Sequence, residues 1–253
     1  MMSQGASMGI CRGVPHILED LKIVQPTLLY AVPTLYKKVH DGVINGVQDA
    51  RPLKRALMRS ALRLGRAESG HRNGLDRDDG TPFPPLGLVD RIMHGVLDSI
   101  VLSMIRALFG GRLRAGFVAG AACPKEIVNF MDAVGIPVCE GYGLTETSPV
   151  IALNNLSRRR AGSVGQVVAG VTVWIVDSEG KPLGHGKEGE ICCRYLSFGG
   201  GHHFVCISRV ISRTFSRFAP CPNSGPNVMK GYHNNSVATA EVITLAPDGK
   251  SRL

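Results

Sequence analysis

Residues 113–139 constrain the fold more than any other stretch of the chain, because they read as strand, tight loop, helix and strand in immediate succession. Residues 113–119 form a short apolar run, and Gly120-Ala121-Ala122-Cys123 a tight loop. Pro124 suits the first helical position, where a missing N–H leaves no bond unmade. Ile127, Val128, Met131 and Val134 then recur at helical spacing, Gly135 ends the helix, and residues 136–139 make the next strand. Such a βαβ unit holds its two strands parallel with a right-handed crossover and sets the fold class as α/β. Ligands of parallel sheets gather at the carboxyl ends of the strands. The loops 120–123 and 141–147 both leave such ends and are expected to border one crevice.

The flanking segments extend this pattern. Residues 17–23 read as a short helix, 27–32 as a buried strand ending at Pro33, and 34–46 and 52–64 as two helices. The second of these offers Leu53, Ala56, Leu57, Ser60 and Leu64 as its inner face. Residues 68–87, rich in Gly, Asp and Pro, are expected to be a polar surface loop. Over residues 92–109, Ile92, Val96, Ile100, Met104 and Leu108 keep an i, i+4 spacing, which predicts a packed amphipathic helix. Beyond the βαβ unit, residues 171–176 alternate as a strand, 177–180 form a turn and 189–193 another strand, which predicts a small antiparallel β subdomain.

With 253 residues and 44% hydrophobic content, the chain can bury a core and is not expected to be disordered as a whole. Its 29 Lys and Arg against 20 Asp and Glu give a net charge of +9 and a pI near 9.4, which invites a nucleic-acid reading. The excess is local. Residues 51–66 hold Arg51, Lys54, Arg55, Arg59, Arg63 and Arg66 without an acid, and residues 195–225 hold Arg209, Arg213 and Arg217 without one. These account for the whole net charge, so nucleic acid is not an expected partner. The basic helix is either a solvated surface or a contact with an anionic membrane. No apolar run approaches the ~20 residues of a transmembrane helix. Seven cysteines without a C-x-x-C pair, and no signal peptide, indicate reduced thiols and an intracellular protein, cytosolic or peripheral to an organelle or membrane.

Chemistry concentrates in Glu140-Gly141-Tyr142-Gly143-Leu144-Thr145-Glu146-Thr147-Ser148. Glycines let the backbone approach a ligand, hydroxyls beside exposed N–H groups suit phosphate oxygens, and a neighbouring carboxylate can hold Mg²⁺. An ordinary strand-to-loop turn with a capping Thr and a solvated Glu remains the alternative. The segment Gly141-Tyr142-Gly143-Leu144-Thr145-Glu146-Thr147 resembles the core motif of the adenylate-forming enzymes, specifically the long-chain acyl-CoA synthetases. Leu18–Lys22, Pro26-Thr27 and Ala31–Tyr36 are similar to the family's segment leading to its Val-Pro turn. Phe109–Arg114 with Ala119–Ala122, Gly162–Gly165, Gly189–Ile191 and Gly225–Tyr232 resemble further family blocks, so the likeness spans residues 4–194 and 225–248.

The resemblance implies a partial large N-terminal domain, a mainly parallel sheet flanked by helices with a small antiparallel subdomain. It implies that Gly120, Ala121 and Ala122 line the adenine and ribose side of a nucleotide pocket, within a binding set completed by Glu140, Gly141, Tyr142, Gly143, Leu144 and Thr145. Tyr142 would pack on adenine, with a core tyrosine as the alternative. Thr145 would meet the α-phosphate and Glu146 the Mg²⁺, these two being the catalytic residues. The implied reaction joins a long-chain fatty acid to ATP and passes the acyl group to coenzyme A, or to a carrier protein within the same superfamily.

Three departures from the family pattern accompany these matches. Its phosphate loop is expected upstream of Gln4, and its ribose-binding Asp and Lys-bearing small domain beyond Leu253. Between Arg194 and Gly225 stand 30 residues, 195–224, without Asp, Glu or Lys and without a clear period. They are expected to be translated non-coding sequence lacking order, with a metal site of His202, His203, Cys206 and Cys221 or a membrane-touching loop as alternatives. The expected organisation is a partial α/β core over 1–165, a β-rich subdomain over 166–194, this insert, and the truncated end of the subdomain over 225–253. A non-catalytic fragment or pseudo-enzyme stands beside the synthetase as the second functional expectation.

Overall fold

The computed structural model describes residues 5–74, 80–157, 159–184, 186–196, 202–210, 229 and 231–243. The chain divides into two compact units, Met1–Cys139 and Glu140–Leu253.

In the first unit, α1 (Ile17–Val24) leads to β1 (Leu28–Ala31), and two long helices follow, α2 (Pro33–Gln48) and α3 (Pro52–Arg72). Then come α4 (Leu88–Leu97), a π-helical turn (Asp98–Leu102), α5 (Ser103–Leu108), β2 (Ala115–Val118) and α6 (Lys125–Ala133). Strand β3 (Val138–Gly143) opens here and runs on into the second unit. β1 pairs parallel with β2 in the register Leu28↔Ala115 to Ala31↔Val118, and Gly116 N–H donates to Pro137 O at 2.9 Å as the chain returns toward β3. The expected strand, loop, helix and strand are therefore present. Pro124 is the residue before the helix rather than its first residue, with ψ 132°, and Gly135 ends it at φ +86°.

Tyr36 docks α2 on the β1/β2 pair. Its ring is fully buried, its hydroxyl donates toward Leu29 O at 3.2 Å, and it lies over Gly116, where a Cβ would come within 2.5 Å of the phenol oxygen. α3 packs on both α2 and α6, and on α4 and the π turn. The contact with α6 is tight because Gly65 has no side chain to hold Ala133 away. Phe109, Leu102, Met131, Val134 and Ile136 fill the core beneath.

Four local expectations are corrected. β1 is not buried: Leu28, Tyr30 and Val32 are exposed, and Tyr30 stacks on Phe117 at 4.8 Å. α3 runs two turns past Leu64, through residues expected to be loop, because Gly70 leaves space for the Phe83 ring to settle on the helix. Its inner face is Ala61, Leu64, Gly65, Ser69 and Gly70, whereas Leu53 and Leu57 are exposed. The stripe Ile92, Val96, Ile100 and Met104 is not packed either. These side chains are 53–64% exposed, and α4–α5 is anchored instead by Leu97, Leu102, Ile105 and Phe109. The i, i+4 spacing was correct for a helix, but both sides of that helix are apolar, so periodicity alone could not say which one faces the core.

The second unit is antiparallel. β3 pairs with β4 (Val150–Leu153) through Gly141↔Leu153, Tyr142↔Ala152 and, after a bulge, Gly143↔Val150. β4 pairs in turn with β5 (Gln166–Val167). A three-stranded sheet has the order β6 (Val171–Val176), β7 (Gly189–Leu196) and β8 (His202–Val210). Ile151, Val171, Val173, Ile175, Ile191 and Cys193 form its core cluster. The chain then enters α7 (Ser236–Val242), capped by the Asn235 side chain, which accepts from Ala238 N–H.

β8 lies within the segment 195–224 expected to lack order, and that expectation does not hold over His202–Val210. Phe204, Val205, Ile207 and Val210 have the β-forming character of a strand. The neighbouring β7 supplies main-chain hydrogen bonds that need no side-chain period. Residues 197–201 and 211–224, including Cys221 of the alternative metal site, lie outside the described residues.

Candidate functional site

The glycine-rich segment leaves β3 through a turn built around Thr147. Leu144 is extended, Thr145–Thr147 make one 3-10 turn, and Ser148 closes it in the left-handed region at φ +49°. Thr147 is fully buried. Its Oγ1 accepts from Leu144 N–H at 3.0 Å and lies 3.0 and 3.1 Å from the carbonyl oxygens of Leu144 and Pro149. This one hydroxyl therefore ties both ends of the turn together. Gly143 is required here, since a Cβ would fall 1.6 Å from Pro149 O. The consequence is that Thr145 is exposed on the rim, with Glu146 half-buried beside it.

Glu146 is held from two sides. Its backbone carbonyl accepts from Met229 N–H at 2.8 Å, and its Oε1 accepts from the Tyr232 hydroxyl at 2.7 Å. The carboxylate raises the Tyr232 phenol above its usual range, first because the hydrogen bond favours the neutral phenol, then through burial and charge repulsion of the phenolate. Tyr232 N–H donates in turn to Thr239 Oγ1 at 2.9 Å, which links the motif to α7. Tyr232 was not among the expected site residues. It stands in the block 225–232 already similar to the family, but only the fold brings residue 232 to residue 146.

Glu140 and Asn154 hold the other side of β3. Glu140 is buried, its Oε2 accepts from Gly162 N–H at 2.8 Å, and its carbonyl accepts from Asn154 N–H at 2.9 Å. Asn154 is 1% exposed; its amide donates to Ser163 O and to Arg160 O, while its Oδ1 accepts from Arg160 N–H. Gly165 can pass only as glycine, at φ +84° with a Cβ position 2.4 Å from Asn154 N. The Glu140 carboxylate is thus turned to the loop 154–165, where it positions backbone. Asn154 gave no signal of this role in the sequence.

Tyr142 is half-buried against the Ile151 and Val173 cluster, together with Leu144. Burial raises its phenol pKa, with a smaller contribution from Cys193. Gly141, Tyr142, Gly143, Leu144, Thr145 and Glu146 are contiguous in the second unit. Gly120, Ala121 and Ala122 belong to the first, exposed at the carboxyl end of β2, with Gly120 at φ +88°. Both expected loops therefore leave the carboxyl ends of their strands. The first unit also holds an open groove of about 990 Å³ between α3 and α6, flanked by Arg63, Arg66, Lys125 and Phe130, which none of the expected residues line.

As a metal ligand set, the segment offers the single carboxylate of Glu146. Among the described residues no group of three or more His, Cys, Asp or Glu converges as a cation cage. One carboxylate fits Mg²⁺, which commonly completes its shell with water and substrate phosphates.

The sequence profile of the AMP-binding enzymes matches residues 1–199. The chain belongs to the AMP-binding enzyme family. Its curated relatives include "Probable acyl-activating enzyme 16, chloroplastic" of Arabidopsis thaliana, 28% identical over 91% of this chain and 30% of that protein. "Long-chain-fatty-acid--[acyl-carrier-protein] ligase AEE15, chloroplastic" of the same plant is 24% identical over 91% of this chain and 30% of its own length. "Long-chain-fatty-acid--CoA ligase 1" of Homo sapiens is 25% identical over 96% of this chain and 28% of its own. The chain thus spans under a third of the length of these relatives. Among solved structures it is similar to a long-chain-fatty-acid-CoA ligase from Archaeoglobus fulgidus, at 13% identity and a TM-score of 0.47, covering 92% of this chain and 31% of that one.

Proposed function

We propose that this chain is part of a long-chain fatty acid ligase, which activates the acid with ATP and transfers the acyl group to a thiol. The observation that carries the reading is the braced turn 144–148: a buried Thr147 anchors it, and Thr145 and Glu146 stand on its rim. A carboxylate is a poor electrophile. In the proposed reaction its oxygen bonds to the α-phosphorus of ATP as the bond to pyrophosphate breaks. The thiol sulfur then bonds to the acyl carbon, its proton passes to solvent, and AMP leaves.

Each residue takes a role in that scheme. The Thr145 hydroxyl donates to an α-phosphate oxygen, where charge develops in the transition state. Glu146, oriented by Tyr232, would hold Mg²⁺, which offsets the charge of the phosphates. Gly120, Ala121 and Ala122, without bulky side chains, border adenine and ribose, and Tyr142 packs on the base. Glu140 positions the loop 154–165. The acceptor is coenzyme A, with an acyl-carrier-protein thiol as the second candidate, since relatives named for each are similar to this chain. No described helix is long and apolar enough to cross a membrane. Peripheral contact with one, and an intracellular location, belong to the same reading.

A second reading is that the 253-residue chain binds an adenylate without completing the reaction. Pyrophosphate exchange into ATP with palmitate tests the two. Exchange that depends on palmitate assigns catalysis to this chain. No exchange, but saturable binding of palmitoyl sulfamoyl-adenosine in calorimetry, assigns the second reading. Loss of both removes the adenylate site.

A further inference from the structure

The turn 144–148 carries one carboxylate, Glu146, and the fold treats its two oxygens differently. Oε1 accepts from the Tyr232 hydroxyl at 2.7 Å, the one hydrogen bond that the carboxylate makes among the described residues. Both partners are anchored through their backbones. Met229 N–H donates to the Glu146 carbonyl at 2.8 Å, and Thr147 Oγ1, accepting from Leu144 N–H at 3.0 Å, closes the turn around it. Tyr232 N–H donates to Thr239 Oγ1 at 2.9 Å, and that hydroxyl donates to Asn235 O at 2.7 Å. Gly231 makes this close passage possible, since at φ +151° a Cβ there would stand 2.9 Å from Thr239 Cγ2. The phenol and the carboxylate therefore meet as two fixed parts rather than as side chains drifting on a surface.

An oxygen that accepts a charge-assisted hydrogen bond gives up part of its electron density to the donor. Oε1 is also crowded by the phenol ring. Oε2 is left as the stronger ligand, so the carboxylate is set to grip a cation through one oxygen. This arrangement separates two common divalent ions. Cis ligands on an octahedron of about 2.1 Å radius stand about 3.0 Å apart, whereas the oxygens of one carboxylate are only about 2.2 Å apart, so Mg²⁺ is best served by one of them. Ca²⁺ has a looser shell of about 6–8 oxygens at roughly 2.3–2.6 Å, and readily takes both oxygens of a carboxylate.

We propose that Tyr232 sets the metal preference of this site, holding Glu146 to ligation through Oε2 and thereby favouring Mg²⁺ over Ca²⁺. This selectivity rests on the adenylation reading, in which Glu146 holds the metal of a metal–ATP complex.

Calorimetry of the 253-residue chain with MgATP and with CaATP tests it. The parent should bind MgATP the more tightly. Tyr232→Phe keeps the ring and releases Oε1, so the ratio of the two dissociation constants should move toward Ca²⁺ by about tenfold, within the reach of one hydrogen bond to a charged group. Glu146→Gln should bind both complexes weakly and without preference. Tyr232 is exposed, so the circular dichroism of Tyr232→Phe should match the parent. A merely structural tyrosine would weaken both complexes in parallel. An unchanged ratio in Tyr232→Phe, or a parent that prefers CaATP, would overturn the proposal, and with Glu146→Gln still defective would leave the adenylation reading standing. A parent that binds neither complex, or Glu146→Gln binding as the parent does, would remove the metal role of Glu146 and the selectivity with it.

Discussion

Gly65→Ala sets two opposing effects against each other within one helix. In an open helical position the change stabilises by about 1 kcal/mol, because alanine loses less backbone freedom on folding. At Gly65 the added Cβ would stand 2.1 Å from Ala133 O and 3.2 Å from Leu102 Cδ1. The carbonyl is backbone near the end of α6 and cannot rotate aside, so α3 and α6 must separate by roughly an ångström. Overpacking of a close-packed core costs about 1–3 kcal/mol, and a backbone clash belongs at the upper end, so the clash outweighs the propensity gain. The expected net loss is about 2 kcal/mol, a fall in Tm of about 4–8 °C for a chain of this size. Gly42→Ala is the control. It lies in α2 with nothing within 4 Å of its Cβ position, and its Tm should rise by about 2–4 °C. Thermal unfolding followed by circular dichroism reads both variants. If Gly65→Ala rises with the control, the close approach of α3 to α6 is wrong.

Asn154→Ala should cost about 2–3 kcal/mol in urea unfolding, because the Ser163 carbonyl and the Arg160 N–H lose their buried partner; a loss below about 0.5 kcal/mol would refute the bracing role. Arg106 holds the Asp98 carboxyl below its ordinary range. A depressed folded pKa means stability that is present above the unfolded value near 4 and is lost as pH falls through the folded one. Asp98→Asn should therefore flatten stability against pH on the acid side, by about 1 kcal/mol or less after solvent screening, and an unchanged acid profile would count against the pair. Tyr232→Phe removes the 2.7 Å bond to Glu146. The parent phenol ionises later than usual, so its bond persists to the ordinary tyrosine range near pH 10 and is lost as pH rises through its raised pKa. Absorbance titration should show one fewer late-ionising tyrosine in the variant; an identical curve would refute the contact.

Residues 113–139 carried their structure in the order of their residues. An apolar run, a loop, a helix with Ile127, Val128 and Met131 inward, and a glycine at positive φ need only local conformational preferences and one hydrophobic face. The turn 140–148 was equally legible as a place of chemistry, since glycines, hydroxyls and carboxylates are adjacent in the chain. What the sequence left open was decided by contacts between distant residues. Tyr232 reaches Glu146 across 86 positions, and Gly162 reaches Glu140 across 22, so no local pattern could announce either. The α4–α5 segment shows the same division most plainly. Its apolar residues determined that it is a helix, but both of its faces are apolar. Only the packing of Leu102, Ile105 and Phe109 into the core settled which side turns inward, and left Ile92, Val96, Ile100 and Met104 facing out.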